Sequence, residues 1–205
     1  MSPRPYNLGQ RRAAANETRT RIVEAARELL ADESYSGELS MQAIARKADV
    51  SRLTIYYQFG SRPGLLDALY DYMAARGNVR QVAEAFQEAD PNKALEKMIK
   101  AFMQFWASDP VAIRRLRAMA ALDAEINRGV QARDARRRNA AGEIVQRLRR
   151  QQPGPKAGQE QSFTADVLAT LTSFEMYDHL KQAGHGDGAI TAVVLKLATT
   201  AIGSQ

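Results

Sequence analysis

Residues 39–59 contain two short helical patterns separated by a turn, and this stretch constrains the fold more than any other. The first pattern places Ile44 and Ala45 on a narrow apolar face. The second places Ile55 and Phe59 one helical turn apart on one side. We expect these two helices to pack with a preceding amphipathic helix and to form a three-helix core. The predicted core residues are Ile22, Ala26, Leu29, Ile44, Val50, Ile55 and Phe59.

The second of these helices carries polar side chains opposite its apolar residues. A short helix that is anchored by few apolar residues and exposes Arg, Thr, Tyr and Gln suits insertion into the DNA major groove. A solvated helix face is the alternative explanation. The side chains concerned are Arg52, Thr54, Tyr57 and Gln58, with Leu53 and Tyr56 at the boundary.

The ends of these helices also have a local signature. Ser40 and Ser51 each precede a helical pattern, where a hydroxyl accepts from a backbone N–H of the first turn. Asp49 lies in the turn, and Asp tolerates a left-handed backbone better than most residues. The sequence therefore predicts two capped helices joined by a tight turn.

The stretch DVSRLTIYYQFGSRPGLLDAL closely resembles the helix-turn-helix of the TetR family of bacterial repressors. The family pattern consists of an IA-xx-AGVS stretch, a T-[LIV]-Y-x-[YH]-F core and [KS]-xx-LL, with no insertion here. The likeness covers about a third of the chain, and Asp49 stands where the family has a turn glycine. The matching residues are Ile44, Ala45, Ala48, Val50, Ser51, Thr54, Ile55, Tyr56, Phe59, Leu65 and Leu66, with Thr20, Arg21, Ile22, Ala25 and Ala26 before them.

The resemblance implies an all-α protein with an N-terminal three-helix helix-turn-helix domain followed by an α-helical ligand-binding and dimerisation domain. It implies a repressor that forms a homodimer through its last two helices and binds a pseudo-palindromic operator. A small apolar effector would release this repressor from the DNA. Pro3 and Pro5, with arginines nearby, predict a flexible basic arm at 1–15. After the arm we expect a DNA-binding domain at 16–60, and a connecting helix plus the second domain at 61–205.

Ten residues are predicted to contact DNA. Arg52 is expected to donate to guanine edges and Leu53 to touch a thymine methyl group, while the hydroxyl and amide groups divide between bases and phosphates. Arg11 and Arg12 of the arm are expected to contact phosphates or the minor groove. The ten residues are Ser40, Gln42, Ser51, Arg52, Leu53, Thr54, Tyr56, Tyr57, Gln58 and Arg62.

Helical periodicity continues through the rest of the chain, with no strand-like alternation. Proline and glycine predict a loop at 151–159. Asn16, Ser61 and Asp187 are candidate N-caps. The predicted helices span 16–32, 61–76, 93–107, 111–122, 127–150, 160–183 and 189–202.

Aromatic residues of the middle helices are candidates for an effector site, although such residues are more often ordinary core. An apolar cavity with a few polar groups is the usual form of such a site. Glu175 lies one turn before His179 and is expected to hydrogen-bond to it. The predicted ligand-binding residues are Phe102, Phe105, Trp106, Met119, Phe174, Tyr177 and His179.

The Arg run at 133–138 is interspersed with Asp134, and we expect a solvated helix face there rather than a second nucleic-acid site. The last two helices carry apolar residues over a wide arc, including Leu197. A helix that is apolar over so wide an arc needs cover on more than one side, which favours a dimer interface.

Composition adds few constraints. The net charge of +6 is compatible with a polyanionic partner. The chain has no cysteine, no long apolar run and no signal peptide, so we expect a cytoplasmic protein. No metal site or cofactor is predicted, and no phosphate-binding, zinc-protease or nucleophile-elbow motif occurs. A small-molecule-binding protein without DNA affinity and a helical enzyme that uses His179 remain alternatives.

Overall fold

The computed structural model describes residues 8–151 and 157–203, and for 8–11, 151, 157–160 and 203 it describes the backbone alone. Within these ranges the chain is all-α, as predicted, and has no strand. The helices are α1 (Leu8–Ala31), α2 (Met41–Lys47), α3 (Arg52–Phe59), α4 (Arg62–Arg76), α5 (Arg80–Gln87), α6 (Pro91–Ser108), α7 (Pro110–Ala120), α8 (Ala124–Gln151), α9 (Ala157–Leu171), α10 (Phe174–Gln182) and α11 (Asp187–Gly203).

The chain divides into two compact units, of which the first ends at Tyr72 and the second begins at Met73. The division falls inside α4, whereas the boundary expected from the sequence lies before it, at 60/61. Apolar side chains of the first part of α4, such as Leu69, are buried. The Tyr72 hydroxyl also donates to the Glu24 carboxylate of α1 at 3.1 Å.

The core of the first unit consists of the apolar stripe of α1 and the inner faces of α2 and α3, which contact one another. Val50 and Phe59, which we also expected in this core, are only half-buried. The predicted core residues that are buried are Ile22, Ala26, Leu29, Ile44 and Ile55.

The first helix begins at Leu8, so the predicted N-cap at Asn16 and the predicted arm over 8–15 are wrong. Alanines at 13–15 have the highest helix propensity of any residue, which extends the helix towards the N-terminus. The Thr18 hydroxyl donates to the Ala14 carbonyl within this helix. Residues 1–7 of the expected arm and the side chain of Arg11 lie outside the described residues, while Arg12 is exposed.

The second unit is built around α6, which contacts α5, α7, α8, α10 and α11. Its apolar side chains are therefore buried over a wide arc, with Met98 and Ile99 fully buried. Asp90 caps the start of α6 by accepting from the Asn92 N–H at 2.8 Å.

The predicted helix over 160–183 is two helices, α9 and α10, with a break at Thr172 and Ser173. Two hydrogen bonds stabilise this break. The Ser173 hydroxyl accepts from the Met176 N–H at 3.2 Å, as an N-cap does. The indole N–H of Trp106 donates to the Thr172 carbonyl at 3.0 Å. The preceding helix begins at Ala157, inside the predicted loop, of which residues 152–156 lie outside the described residues.

Two predictions for charged side chains of the second unit are also wrong. Arg137 is buried, because its guanidinium donates to the Ala169 carbonyl near the end of α9 and to Asp134. Asp187 does not cap α11. Its carboxylate accepts instead from the Tyr177 hydroxyl and from Lys181, each at 2.8 Å.

None of the described helices is long and apolar enough to span a lipid bilayer.

Candidate nucleic-acid interface

A tight turn joins α2 to α3, and its geometry follows from the predicted capping residues. Asp49 has a φ of 50°, in the left-handed region. The Ser40 hydroxyl accepts from the Ala43 N–H at 3.1 Å. The Ser51 hydroxyl accepts from the Thr54 N–H at 3.0 Å. The two predicted N-caps and the left-handed turn are therefore confirmed, and they fix where α3 begins.

Helix α3, the candidate DNA-recognition helix, has few buried side chains. Ile55 is fully buried, and it is the single buried residue of this helix. The other side of the helix presents Tyr57, 81% exposed, and Leu53, 60% exposed, one turn apart. Arg52 is exposed and Tyr56 is 40% exposed. Large apolar and aromatic side chains exposed side by side on one helix are typical of an interaction surface.

The predicted DNA-contacting residues separate into two groups by exposure. The exposed ones are Gln42, Ser51, Arg52, Leu53, Tyr56 and Tyr57. The half-buried ones are Ser40, Thr54, Gln58 and Arg62.

The half-buried residues have contacts within the first unit. The Thr54 hydroxyl lies 2.9 Å from the Ser51 hydroxyl. An Arg62 N–H donates weakly to the Leu39 carbonyl at 3.5 Å. Such contacts orient these side chains before any DNA is bound.

The end of α3 is crowded by the start of α4. A Cβ atom on Gly64 would clash with the carbonyl oxygen of Phe59, so only glycine fits without a shift. The Gly64 N–H donates to the Ser61 hydroxyl at 3.2 Å, which confirms the predicted cap of α4. Gly64 therefore permits a close approach between the two helices.

Two cations of this region were not predicted. Arg46 is exposed in the last turn of α2. Arg19 of α1 donates to the Gln58 carbonyl at 2.7 Å, and its guanidinium carbon lies 4.2 Å from the centroid of the Phe59 ring. The helical spacing could have identified Arg19. It lies three residues before the buried Ile22, on the apolar stripe of α1 that faces the core.

Five of the seven predicted ligand-binding residues form a continuous series of ring contacts in the second unit. Trp106 is at its centre, with ring centroids 4.6 Å from Phe105, 5.5 Å from Phe174 and 6.5 Å from Phe102. Phe174 in turn lies 6.4 Å from Tyr177. Apart from the half-buried Phe105, these residues are buried.

The other two predicted ligand-binding residues differ. Met119 is half-buried and His179 is exposed on α10. The expected partner of His179 is engaged elsewhere, because the Glu175 carboxylate accepts from Arg117 at 2.6 Å. His179 lies on the surface of α10 and is not part of the aromatic series around Trp106.

Charges beside the aromatic series are paired. Arg114 donates to both carboxylate oxygens of Asp178, at 2.6 and 3.0 Å. Burial raises the pKa of Asp178, but hydrogen bonds from Arg114 and Gln182 outweigh it and hold that pKa below its ordinary value. Burial, followed by the hydrogen bond to Asp187, raises the pKa of Tyr177. Tyr177 therefore stays neutral, and its hydroxyl donates a hydrogen bond to the Asp187 carboxylate.

A polar groove of about 390 Å³ lies beside α8 and α9, and none of the aromatic residues lines it. Arg138 at its wall is paired with Asp166. Its lining residues are Arg138, Asn139, Gly142, Gln161, Ser162 and Ala165.

Comparison with known proteins agrees with this geometry. Residues 22–69, which include α2, α3 and the start of α4, match the model of bacterial regulatory proteins of the tetR family. The chain is 25% identical over 169 residues to the HTH-type transcriptional repressor NicS of Pseudomonas putida, covering 82% of this chain and 76% of that protein.

Solved structures show the same fold. A TetR-like transcriptional regulator from Rhodococcus sp. RHA1 superposes with a TM-score of 0.67 at 19% identity, covering 99% of this chain and 100% of that one. LfrR from Mycobacterium smegmatis, solved in complex with proflavine, superposes with a TM-score of 0.55 at 21% identity, covering 92% and 97%.

Proposed function

Because this chain belongs to the TetR family of bacterial transcriptional regulators, we propose that it binds a pseudo-palindromic operator as a dimer and releases it when a small apolar effector binds. The observation that supports this most strongly is the open face of α3. It presents Arg52, Leu53 and Tyr57 to solvent while Ile55 alone is buried.

The proposed DNA contacts follow from the functional groups of the side chains on and around α3. Arg52 donates two N–H groups to the O6 and N7 atoms of a guanine, and Leu53 packs on a thymine methyl group. Thr54, Tyr56, Tyr57 and Gln58 divide between base edges and phosphate oxygens. Ser40, Gln42, Ser51 and Arg62, with Arg12 of α1, position the domain on the backbone, because phosphate contacts set register and not sequence.

Dimerisation is proposed through α9 and α11. Phe163 is 66% exposed, Leu197 is 42% exposed and Val193 is 39% exposed, and α9 contacts α11. A two-fold axis through this apolar surface would cover it with the same surface of a second copy. Two copies of α3 about 34–36 Å apart would then meet successive major grooves on one side of the duplex.

The effector is proposed to bind at the aromatic series around Trp106. An apolar or planar molecule suits a site lined by rings, and it would act only if it binds the DNA-incompetent form more tightly. Trp106 is the only tryptophan of the chain, so its fluorescence reports directly on this site. Proflavine, which LfrR binds, is a suitable first probe.

Selection of binding sites from random DNA tests whether the protein binds a pseudo-palindromic operator. We expect enrichment of an inverted repeat whose half-site centres lie about 10 base pairs apart or a multiple of that. A chain that enriches no sequence, and binds no DNA upstream of its own gene, would instead be a small-molecule-binding protein without DNA affinity.

A further inference from the structure

Arg19 of α1 contacts the C-terminal end of α3. The Nη1 atom of Arg19 donates to the Gln58 carbonyl at 2.7 Å. The same guanidinium lies over the Phe59 ring, 4.2 Å from its centroid. An Arg makes both contacts at once, because its N–H groups lie in a plane whose face stacks on aromatic rings.

These contacts supply what α3 lacks at its own C-terminus. The last carbonyl groups of a helix have no partner within the helix and carry partial negative charge. Helix α3 has no basic residue in its last turn. The Gly60 N–H satisfies the Tyr56 carbonyl at 2.8 Å, and Arg19 satisfies the Gln58 carbonyl with a charged donor. Arg19 therefore caps α3 from another helix.

The orientation of α3 depends on few such contacts. It is eight residues long, and Ile55 is its single buried residue. A helix this short is marginal by itself, so tertiary contacts determine its position. Hydrogen bonds to base edges need heavy-atom distances of about 2.7–3.2 Å, so a small rotation of α3 would break them.

We propose that Arg19 is a positioning residue for DNA recognition. It fixes the angle at which α3 presents Arg52 and Tyr57 to the major groove, and it acts through the Gln58 carbonyl and the Phe59 ring without touching DNA. This inference rests on the proposed function, since it requires that α3 enters the groove.

The test compares Arg19→Gln with Arg21→Gln, which removes the same charge from an exposed position of the same helix. Dissociation constants are measured for the selected operator and for a random duplex at several salt concentrations. We expect Arg19→Gln to weaken operator binding about 5- to 30-fold and random binding less than about twofold, with an unchanged salt slope. Arg21→Gln keeps the ratio of operator to random affinity.

A second variant separates positioning from loss of folding. Phe59→Leu keeps an apolar side chain but removes the ring face, and we expect it to reproduce the loss of operator affinity. Because the Arg19 guanidinium and the Phe59 ring contact each other, the loss in the double variant should be smaller than the sum of the two single losses. In the DNA-free protein, hydrogen exchange of α3 amides should accelerate in Arg19→Gln while exchange of α1 core amides stays unchanged.

Three results would overturn the assignment. A salt slope that falls by about 0.9 in Arg19→Gln would show a direct phosphate contact. Additive losses in the double variant would show that Arg19 does not act through Phe59. An unchanged ratio of operator to random affinity in Arg19→Gln would show that Arg19 does not position α3 for recognition. If the wild-type chain prefers no sequence, the proposed function itself fails. If the wild-type preference exists and Arg19→Gln retains it, only this inference fails.

Discussion

Gly77 lies so close to Phe105 that no side chain fits between them. A Cβ atom on Gly77 would clash with the Phe105 ring and stand 3.2 Å from the Phe105 Cα atom and 2.9 Å from the Ser108 hydroxyl. Phe105 belongs to the aromatic series around Trp106, and Gly77 immediately follows α4. The segment after the connecting helix therefore packs directly on the candidate effector site of the second unit.

Gly77→Ala is expected to destabilise the protein by about 1–3 kcal/mol, because the surrounding atoms must shift to admit a methyl group. Chemical denaturation measures this. The matched control is Gly188→Ala in α11, where a Cβ meets nothing within 4 Å. There we expect a gain of about 0.5–1 kcal/mol from helix propensity. Equal stabilities for the two variants would contradict the close approach.

Asp49→Gly is expected to stabilise the first unit by about 0.5–1 kcal/mol. Asp49 has a φ of 50°, which costs an L-residue about 1–2 kcal/mol, and the greater freedom of glycine in the unfolded chain offsets part of the gain. Asp49→Val should destabilise, since a β-branched side chain tolerates this backbone least. Thermal unfolding of both variants is the measurement, and a stabilising valine would refute the argument.

Asp178→Asn is expected to cost about 1–3 kcal/mol at neutral pH, because it leaves the Arg114 guanidinium without its carboxylate. The pKa of Asp178 lies below its ordinary value in the folded protein. Its contribution is therefore complete above the unfolded-state pKa of about 3.9 and is lost as the pH falls through the lower folded-state value.

Denaturation of wild type and Asp178→Asn between pH 2 and 7 measures the difference in their free energies of unfolding, which should shrink below about pH 4. The control is Glu96→Gln, which breaks the exposed pair with Lys100 and should cost at most about 0.5 kcal/mol. A difference that stays constant with pH would show that Asp178 is not the titrating group.

Leu197→Glu is expected to give monomers in sedimentation experiments, because it places a charge in the apolar surface proposed to pair across the two-fold axis. Leu122→Glu is the matched control, since Leu122 is 95% exposed at the turn between α7 and α8. It should remain dimeric. If both variants stay dimeric, the interface lies elsewhere.

Features set by neighbouring residues could be predicted from the sequence. The caps at Ser40, Ser51 and Ser61 and the left-handed turn at Asp49 depend on local geometry, and each was found as expected. The predicted core residue Ile55 is likewise buried, because helical periodicity alone determines its face.

Features set by distant residues could not be predicted. Arg19 meets Gln58 across 39 positions, and Arg137 meets Ala169 across 32, so no local pattern marks either contact. The break between α9 and α10 was missed because apolar residues continue through it, although Ser173 followed by Glu175 carries the signature of a helix start.

The central claim is that α3 recognises base sequence, and Arg52→Ala tests it most directly. Arg136→Ala on α8 is the control, because it removes the same charge from an exposed position of the second unit. Binding to the selected operator, to its single-base variants and to random DNA is measured at fixed salt. We expect Arg52→Ala to cost about 1–3 kcal/mol on the operator, to abolish the preference at one base pair and to leave random binding nearly unchanged. Equal losses on operator and random DNA, or a loss no larger than that of Arg136→Ala, would contradict the account.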